Sequence, residues 1–215
     1  IEKFHRVRLY VIVTSNLPAE VLALASQCAT GGADCIQLRA KDMPDERLFA
    51  TAVEFVEICR EMGAMSIIND RADIAAAAGA DGVHLGQNDL PVEQVRRIQL
   101  SPLIVGKSTH SLKELEASLP GQPSYVSLGP AFATTTKPEI ELAGADYIRQ
   151  GLARLEGTGI SHVAIGGITA DNVEQVIRAG AQRVAVCAAV TKATDPGEAC
   201  RRLKDKLTKL LGDWD

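Results

Sequence analysis

Short apolar runs alternate with amphipathic stretches along the whole chain. The apolar runs predict eight strands, at Leu9–Thr14, Cys35–Ala40, Ser66–Asn69, Gly82–Leu85, Leu103–Lys107, Tyr125–Leu128, His162–Ile165 and Arg183–Cys187. Helical periodicity falls between them, most clearly in Asp45–Met62 and Asn172–Arg178, and returns after the last strand in Gly197–Leu211. Several helical stretches stop at a glycine, the residue that takes the left-handed position after a helix without steric cost. A loose repeat accompanies this pattern: Gly-Ala-Asp-Cys-Ile-Gln-Leu at 32–38, Gly-Ala-Asp-Gly-Val-His-Leu at 79–85 and Gly-Ala-Gln-Arg-Val-Ala-Val at 180–186. Each reads as a helix stop followed by a strand, whereas Gly144-Ala145-Asp146 reads as a helix entry. Eight β-then-α units in 215 residues predict an α/β fold, a single (β/α)8 TIM barrel domain spanning residues 1–215. A doubly wound open sheet is the alternative. The evenness of the units, and the lack of a G-x-G-x-x-G after the first strand, favour the barrel.

One strand breaks the apolar rule. Gln37, Arg39 and Lys41 alternate with Ile36, Leu38 and Ala40, so the three polar side chains share a face. Strands of a parallel sheet are covered on both sides. Two cations and an amide on such a face need a charged partner, and a bound anion fits better than a structural carboxylate.

Composition narrows the field. Apolar residues make up 46% of the chain and charged residues 23%, as in ordinary globular proteins. A net charge of −4 argues against a general nucleic-acid or anionic-membrane binder, so any anion site is local. No run approaches the ~18 apolar residues of a membrane span, and nothing resembles a signal peptide. The five cysteines form no C-x-x-C pair and read as free thiols of a reducing, cytoplasmic setting. Cys28 and Cys59 fall on helix faces as core residues.

In a barrel of this type, chemistry clusters at the C-terminal ends of the strands. The polar residues follow that rule: Asn69 and Asp70 close strand 3, His84 to Asp89 follow strand 4, and Lys107 to His110 follow strand 5. Gly129 to Lys137 follow strand 6, Gly166-Gly167 follows strand 7, and Cys187-Ala188 ends strand 8. The last two occupy the place where barrels often bind phosphate through backbone N–H groups.

These segments, in this order, resemble the thiamin phosphate synthase family. The resemblance rests on Q-x-R-x-K at 37–41, Ile-Asn-Asp-Arg at 68–71 and His-x-Gly-Gln-x-Asp at 84–89. It continues through Gly-x-Ser-x-His at 106–110, Gly-Pro-x-Phe-x-Thr-x-Thr-Lys at 129–137 and Ile-Gly-Gly-Ile at 165–168, and covers about Leu9 to Lys206. It implies a transferase of thiamine biosynthesis. Hydroxymethylpyrimidine pyrophosphate and thiazole phosphate would be joined with Mg2+, releasing pyrophosphate. By the same resemblance, Gln37, Arg39, Lys41, Asn69, Ser108 and Lys137 hold the pyrimidine pyrophosphate, and Arg39, Lys41, Ser108 and Lys137 carry the catalysis. Asp70 and Asp89 ligate Mg2+. Thr134, Thr136, Gly167 and the Cys187-Ala188 backbone hold the thiazole phosphate. Relatives commonly carry Ser where Ala188 stands, and Lys107 matches no family position. A homodimer is compatible with the family, although the sequence does not give the oligomeric state.

Plainer readings compete. Asp70 could pair with Arg71 or cap a helix, and Asp89 precedes the helix entry Leu90-Pro91. His84, in an otherwise apolar strand, reads as a satisfied core histidine; His110 is given no role. At the level of function, a thiazole tautomerase of the same barrel family and a non-catalytic phosphate-binding protein are the alternatives. The tautomerase resemblance would place a histidine where Pro130 stands and omit the acidic pair.

Overall fold

The computed structural model describes residues 2–98, 103–133 and 142–212. Its eight parallel strands close into a barrel: β1 (Leu9–Thr14), β2 (Cys35–Arg39), β3 (Met65–Asn69), β4 (Gly82–Leu85), β5 (Ile104–Thr109), β6 (Tyr125–Leu128), β7 (Ser161–Ile165) and β8 (Val184–Val186). The open-sheet alternative fails because β8 pairs with β1, through Leu9–Val184, Tyr10–Ala185 and Val11–Val186. The helices are α1 (Glu2–His5), α2 (Pro18–Thr30), α3 (Asp45–Glu61), α4 (Ala72–Ala77), α5 (Val92–Ile98), α6 (Leu112–Ser118), α7 (Gly144–Leu155), α8 (Val173–Arg178), α9 (Ala188–Thr191) and α10 (Pro196–Leu211). No helix of the described residues is long and apolar enough to cross a membrane.

Strand ends differ from the expected ones by a residue or two, for reasons of pairing that periodicity does not carry. β5 runs on to Thr109 because Lys107, Ser108 and Thr109 find partners in Val126, Ser127 and Leu128 of β6. Arg183 stays outside β8, where its guanidinium donates to the His5 carbonyl of α1 at 2.9 Å.

The Gly-Ala-Asp repeat has a structural cause. Gly32 and Gly79 take φ of +90° and +70° after their helices. The Asp34 carboxylate then accepts the Arg8 and Leu9 N–H groups at 2.9 Å, and Asp81 accepts Ser66 N–H at 2.9 Å. Each aspartate thus satisfies backbone donors at the foot of a neighbouring strand.

Outward residues such as Ile36, Leu38, Val83, Leu85 and Leu128 pack under the helices as one apolar layer. Inside the barrel lie Tyr10, Cys35, Met65, Ile67, Ile104 and Tyr125, and Phe4 of α1 closes the bottom by stacking on Tyr125 with ring centroids 4.1 Å apart. Burying an aromatic ring of this size contributes roughly 2–3 kcal/mol. The inward face grows polar toward the C-terminal ends: Cys35 gives way to Gln37 and Arg39, Ile67 to Asn69, and Gly106 to Ser108. The core therefore fills the lower barrel and leaves its mouth to polar groups.

Candidate active site

A cavity of about 320 Å³ opens at that mouth. Gln37, Arg39 and Lys41 line it from β2, Asn69 and Asp70 from β3, and His84 and Gly86 from β4. Ser108 and His110 line it from β5, Gly129 and Pro130 from β6, Gly166 and Gly167 from β7, and Cys187 and Ala188 from β8. Every expected site residue within the described segments reaches this cavity except Asp89, which sits at its edge beside Gly86. Thr134, Thr136 and Lys137 lie outside the described residues.

Gln37 is almost fully buried and Arg39 is partly buried, and among the described residues Arg39 pairs with no carboxylate. A guanidinium held this way is poised for an incoming anion. Lys41 lies 3.4 Å from Asp70, but its side chain is 53% exposed. A pair so open to water is worth about 0–1 kcal/mol, so stability does not explain it.

Asp70 sits on a tight turn: Arg71 N–H returns to the Asn69 carbonyl at 2.8 Å, with Asp70 at φ +64°. Such a backbone costs about 1–3 kcal/mol in a non-glycine residue. Asp89 is the acidic neighbour of Asp70. Partial burial, then the neighbouring Asp89, raises its pKa above the usual carboxylate value, and Lys41 opposes the rise. The plainer readings of Asp70 find no support. Arg71 pairs with Asp45 and Asp73 instead of Asp70, and α4 starts without a side-chain cap. Asp89 turns back to accept Gly86 N–H at 2.5 Å.

The loop that carries Asp89 is braced from below. Lys107 donates to the Gly86 carbonyl at 2.6 Å, and Gln87 donates to the Ser108 carbonyl. Burial lowers the Lys107 ammonium from its usual value, against the pull of Asp89. Lys107 thus has a place that sequence did not give it. His110 is held by Glu114, whose carboxylate lies 2.9 Å from Nδ1.

The β7–β8 side of the cavity is made of backbone. Gly166 and Gly167 take φ of +100° and +62°. A Cβ on Gly166 would fall 2.4 Å from the Pro130 Cα, and one on Gly167 would fall 2.5 Å from the Ala133 oxygen. Only glycine lets these segments close, as Ala131 and Phe132 N–H groups donate to the Ile165 and Gly166 carbonyls at 2.8 and 3.0 Å. Asn172 steadies the turn by donating to the Gly167 carbonyl at 2.9 Å.

The cavity floor holds residues that the sequence reading passed over. Gln37 Nε2 donates to the Tyr10 hydroxyl at 2.7 Å, and the Tyr10 and Tyr125 hydroxyls lie 3.0 Å apart. His84 places Nδ1 3.0 Å from Tyr125 and Nε2 2.9 Å from Ser108 Oγ. His84 is satisfied, as expected, but within the site. The signal was the inward register that tyrosines in strands 1 and 6 share with a glycine in strand 5.

Among the described residues, no three His, Cys, Asp or Glu side chains are grouped to hold a metal ion. Arg39 and Lys41 beside an aspartate pair, facing a glycine-lined wall, form a site suited to a phosphorylated ligand.

Comparison with known proteins agrees with this chemistry. The family model described as thiamine monophosphate synthase matches residues 9–190. A thiamine-phosphate synthase of Methanoculleus marisnigri is 45% identical over 188 residues, covering 86% of each chain. One from Thermosynechococcus vestitus is 39% identical over 202 residues, 94% of this chain and 56% of that protein. The chain spans a little over half the length of that relative and of the one from Gloeobacter violaceus. Among solved structures, a thiamine phosphate pyrophosphorylase from Pyrococcus furiosus superposes with a TM-score of 0.87 at 32% identity, covering 96% of this chain and 98% of the other. The chain belongs to the thiamine monophosphate synthase family.

Proposed function

We propose that this cavity joins hydroxymethylpyrimidine pyrophosphate to thiazole phosphate, giving thiamin phosphate and pyrophosphate. The observation that carries the proposal is one cavity with two different anion-binding sides. Arg39, Lys41, Asn69 and Ser108 converge from β2, β3 and β5, and the Gly166-Gly167 turn and the Cys187-Ala188 backbone face them from β7 and β8. Two anionic substrates need two such sides.

In this reading the pyrimidine methylene–oxygen bond breaks, and its electron pair leaves with pyrophosphate. The thiazole ring nitrogen then forms the new carbon–nitrogen bond with its own lone pair. No protein base is needed. The charge gathering on the departing oxygens is the obstacle, and Arg39 and Lys41, with Lys137, are the groups that would offset it. Asp70 and Asp89 suit Mg2+: two neighbouring carboxylates match an ion that keeps several waters and takes substrate phosphate oxygens. When bound there, Mg2+ supplies further neutralisation of the pyrophosphate. Gly167 and the Cys187-Ala188 backbone would hold the thiazole phosphate. A backbone contact at Ala188 makes a serine hydroxyl there dispensable.

The test is product formation by the purified chain given both substrates and Mg2+. Equal amounts of thiamin phosphate and pyrophosphate, dependent on the metal, are expected. Metal-independent tautomerisation of a thiazole carboxylate phosphate, or tight ligand binding without turnover, would replace this reading by one of its rivals.

A further inference from the structure

We propose that Tyr10, Tyr125 and His84 act as a positioning relay that presents Ser108 to the pyrimidine substrate as a hydrogen-bond donor. The proposal rests on the synthase reading above and adds a direction to one of its contacts. The relay crosses the barrel floor from Gln37 to Ser108 in four hydrogen bonds of 2.7, 3.0, 3.0 and 2.9 Å.

Its polarity follows from counting hydrogens. The Gln37 amide nitrogen donates only, so the Tyr10 oxygen accepts from it. The direction that leaves no hydroxyl hydrogen of this buried chain unspent then has Tyr10 donating to the Tyr125 oxygen and Tyr125 donating to His84 Nδ1. A neutral ring that accepts at Nδ1 carries its proton on Nε2, which donates to Ser108 Oγ. Having accepted, Ser108 keeps its hydrogen for the cavity. The group it meets is therefore an acceptor on the substrate, a pyrimidine ring nitrogen or a pyrophosphate oxygen.

The floor is built for this arrangement. Tyr10 and Tyr125 are at most 1% exposed, and burial raises both phenols well above their usual pKa, so each keeps the proton it must donate. A Cβ on Gly106 would fall 2.4 Å from the Tyr125 oxygen, so that strand carries a glycine where the phenol passes. A buried polar chain stabilises only when every member is satisfied, and here each hydroxyl and ring nitrogen has a partner.

The test uses the full chain with 15N-labelled histidine, with His84→Asn to assign the signal. Nitrogen shifts of the free wild-type protein near neutral pH should show His84 neutral and protonated on Nε2, and Tyr125→Phe should mix in the other tautomer. Steady-state kinetics should show kcat/KM for the pyrimidine substrate falling on the order of tenfold in Tyr125→Phe, as expected for one misdirected buried hydrogen bond, with KM for thiazole phosphate unchanged. Tyr10→Phe leaves the last two bonds intact and should have a smaller effect, although both variants remove one buried hydroxyl. Titration with pyrophosphate alone separates the two acceptors: weaker binding in Tyr125→Phe assigns the phosphate oxygen, and unchanged binding assigns the ring nitrogen. A wild-type proton on Nδ1, or unaltered kcat/KM in Tyr125→Phe, would overturn the relay. Loss of the synthase reading would show separately, as absent product from the wild type with the Nε2 tautomer intact.

Discussion

The glycine wall of the cavity permits a quantitative test through Gly166→Ala. Alanine at φ +100° carries a backbone penalty of about 1–3 kcal/mol. Its Cβ would also lie 2.4 Å from the Pro130 Cα and 3.0 Å from the Ala131 nitrogen, both backbone atoms that yield only if the loop moves. Overpacking of that kind costs roughly 1–3 kcal/mol more. Gly157→Ala supplies the control, because Gly157 has φ +74° and no atom within 4 Å of the new Cβ. That variant meets only the backbone penalty, about 1 kcal/mol after the entropy removed from the unfolded chain is credited. For a chain of this length each kcal/mol moves Tm by roughly 2–4 °C. Thermal unfolding followed by circular dichroism should place Gly157→Ala about 2–4 °C below wild type, and Gly166→Ala about 5–15 °C below. Gly166→Ala should also raise KM for thiazole phosphate. Equal melting of the two variants would refute the close packing of the β7 turn on the β6 loop.

Other expectations follow from the same geometry. Asp70→Asn and Asp89→Asn should each lower turnover on the order of 10²–10³-fold with folding intact, measured by product release and circular dichroism; near-wild-type rates in both would remove the metal role. Lys107→Met frees the Gly86 carbonyl that anchors the Asp89 loop, so half-maximal rate should need more Mg2+, read from a metal titration of activity. His162 accepts the Gln182 N–H at Nε2, and burial followed by Arg183 lowers its pKa to about 4. Between pH 6.5 and 4 the unfolded chain binds the extra proton, so this stability is complete above 6.5 and lost on acidification. The loss is at most about 3 kcal/mol, less for a ring that is not fully enclosed. Melting curves of wild type and His162→Gln across this range should diverge toward low pH, and parallel curves would refute the assignment.

Periodicity disclosed the strands and the cavity face, while the roles within the site came from the family resemblance. The alternation of Gln37, Arg39 and Lys41 with Ile36 and Leu38 separates the cavity face from the helix-covered face of β2. Gly166-Gly167 declared a turn, but the reason for two glycines lies in the approach of Pro130 and Ala133, which no local pattern encodes. Lys107 is on the outward face of β5, and its contact with Gly86 depends on the register of β4 against β5. Tyr10 and Tyr125 are 115 positions apart and look like ordinary strand aromatics until closure brings their hydroxyls together. The aspartate pair was legible as two acidic strand ends, while the strained turn at Asp70 was not.

The most direct measurement is a crystal structure of the chain with pyrophosphate and Mg2+. The account predicts the diphosphate between Arg39, Lys41 and Ser108, with Asp70 and Asp89 as the residues that hold the metal. Pyrophosphate bound only at the β7–β8 turn, or outside the barrel mouth with Asp70 and Asp89 uninvolved, would contradict it.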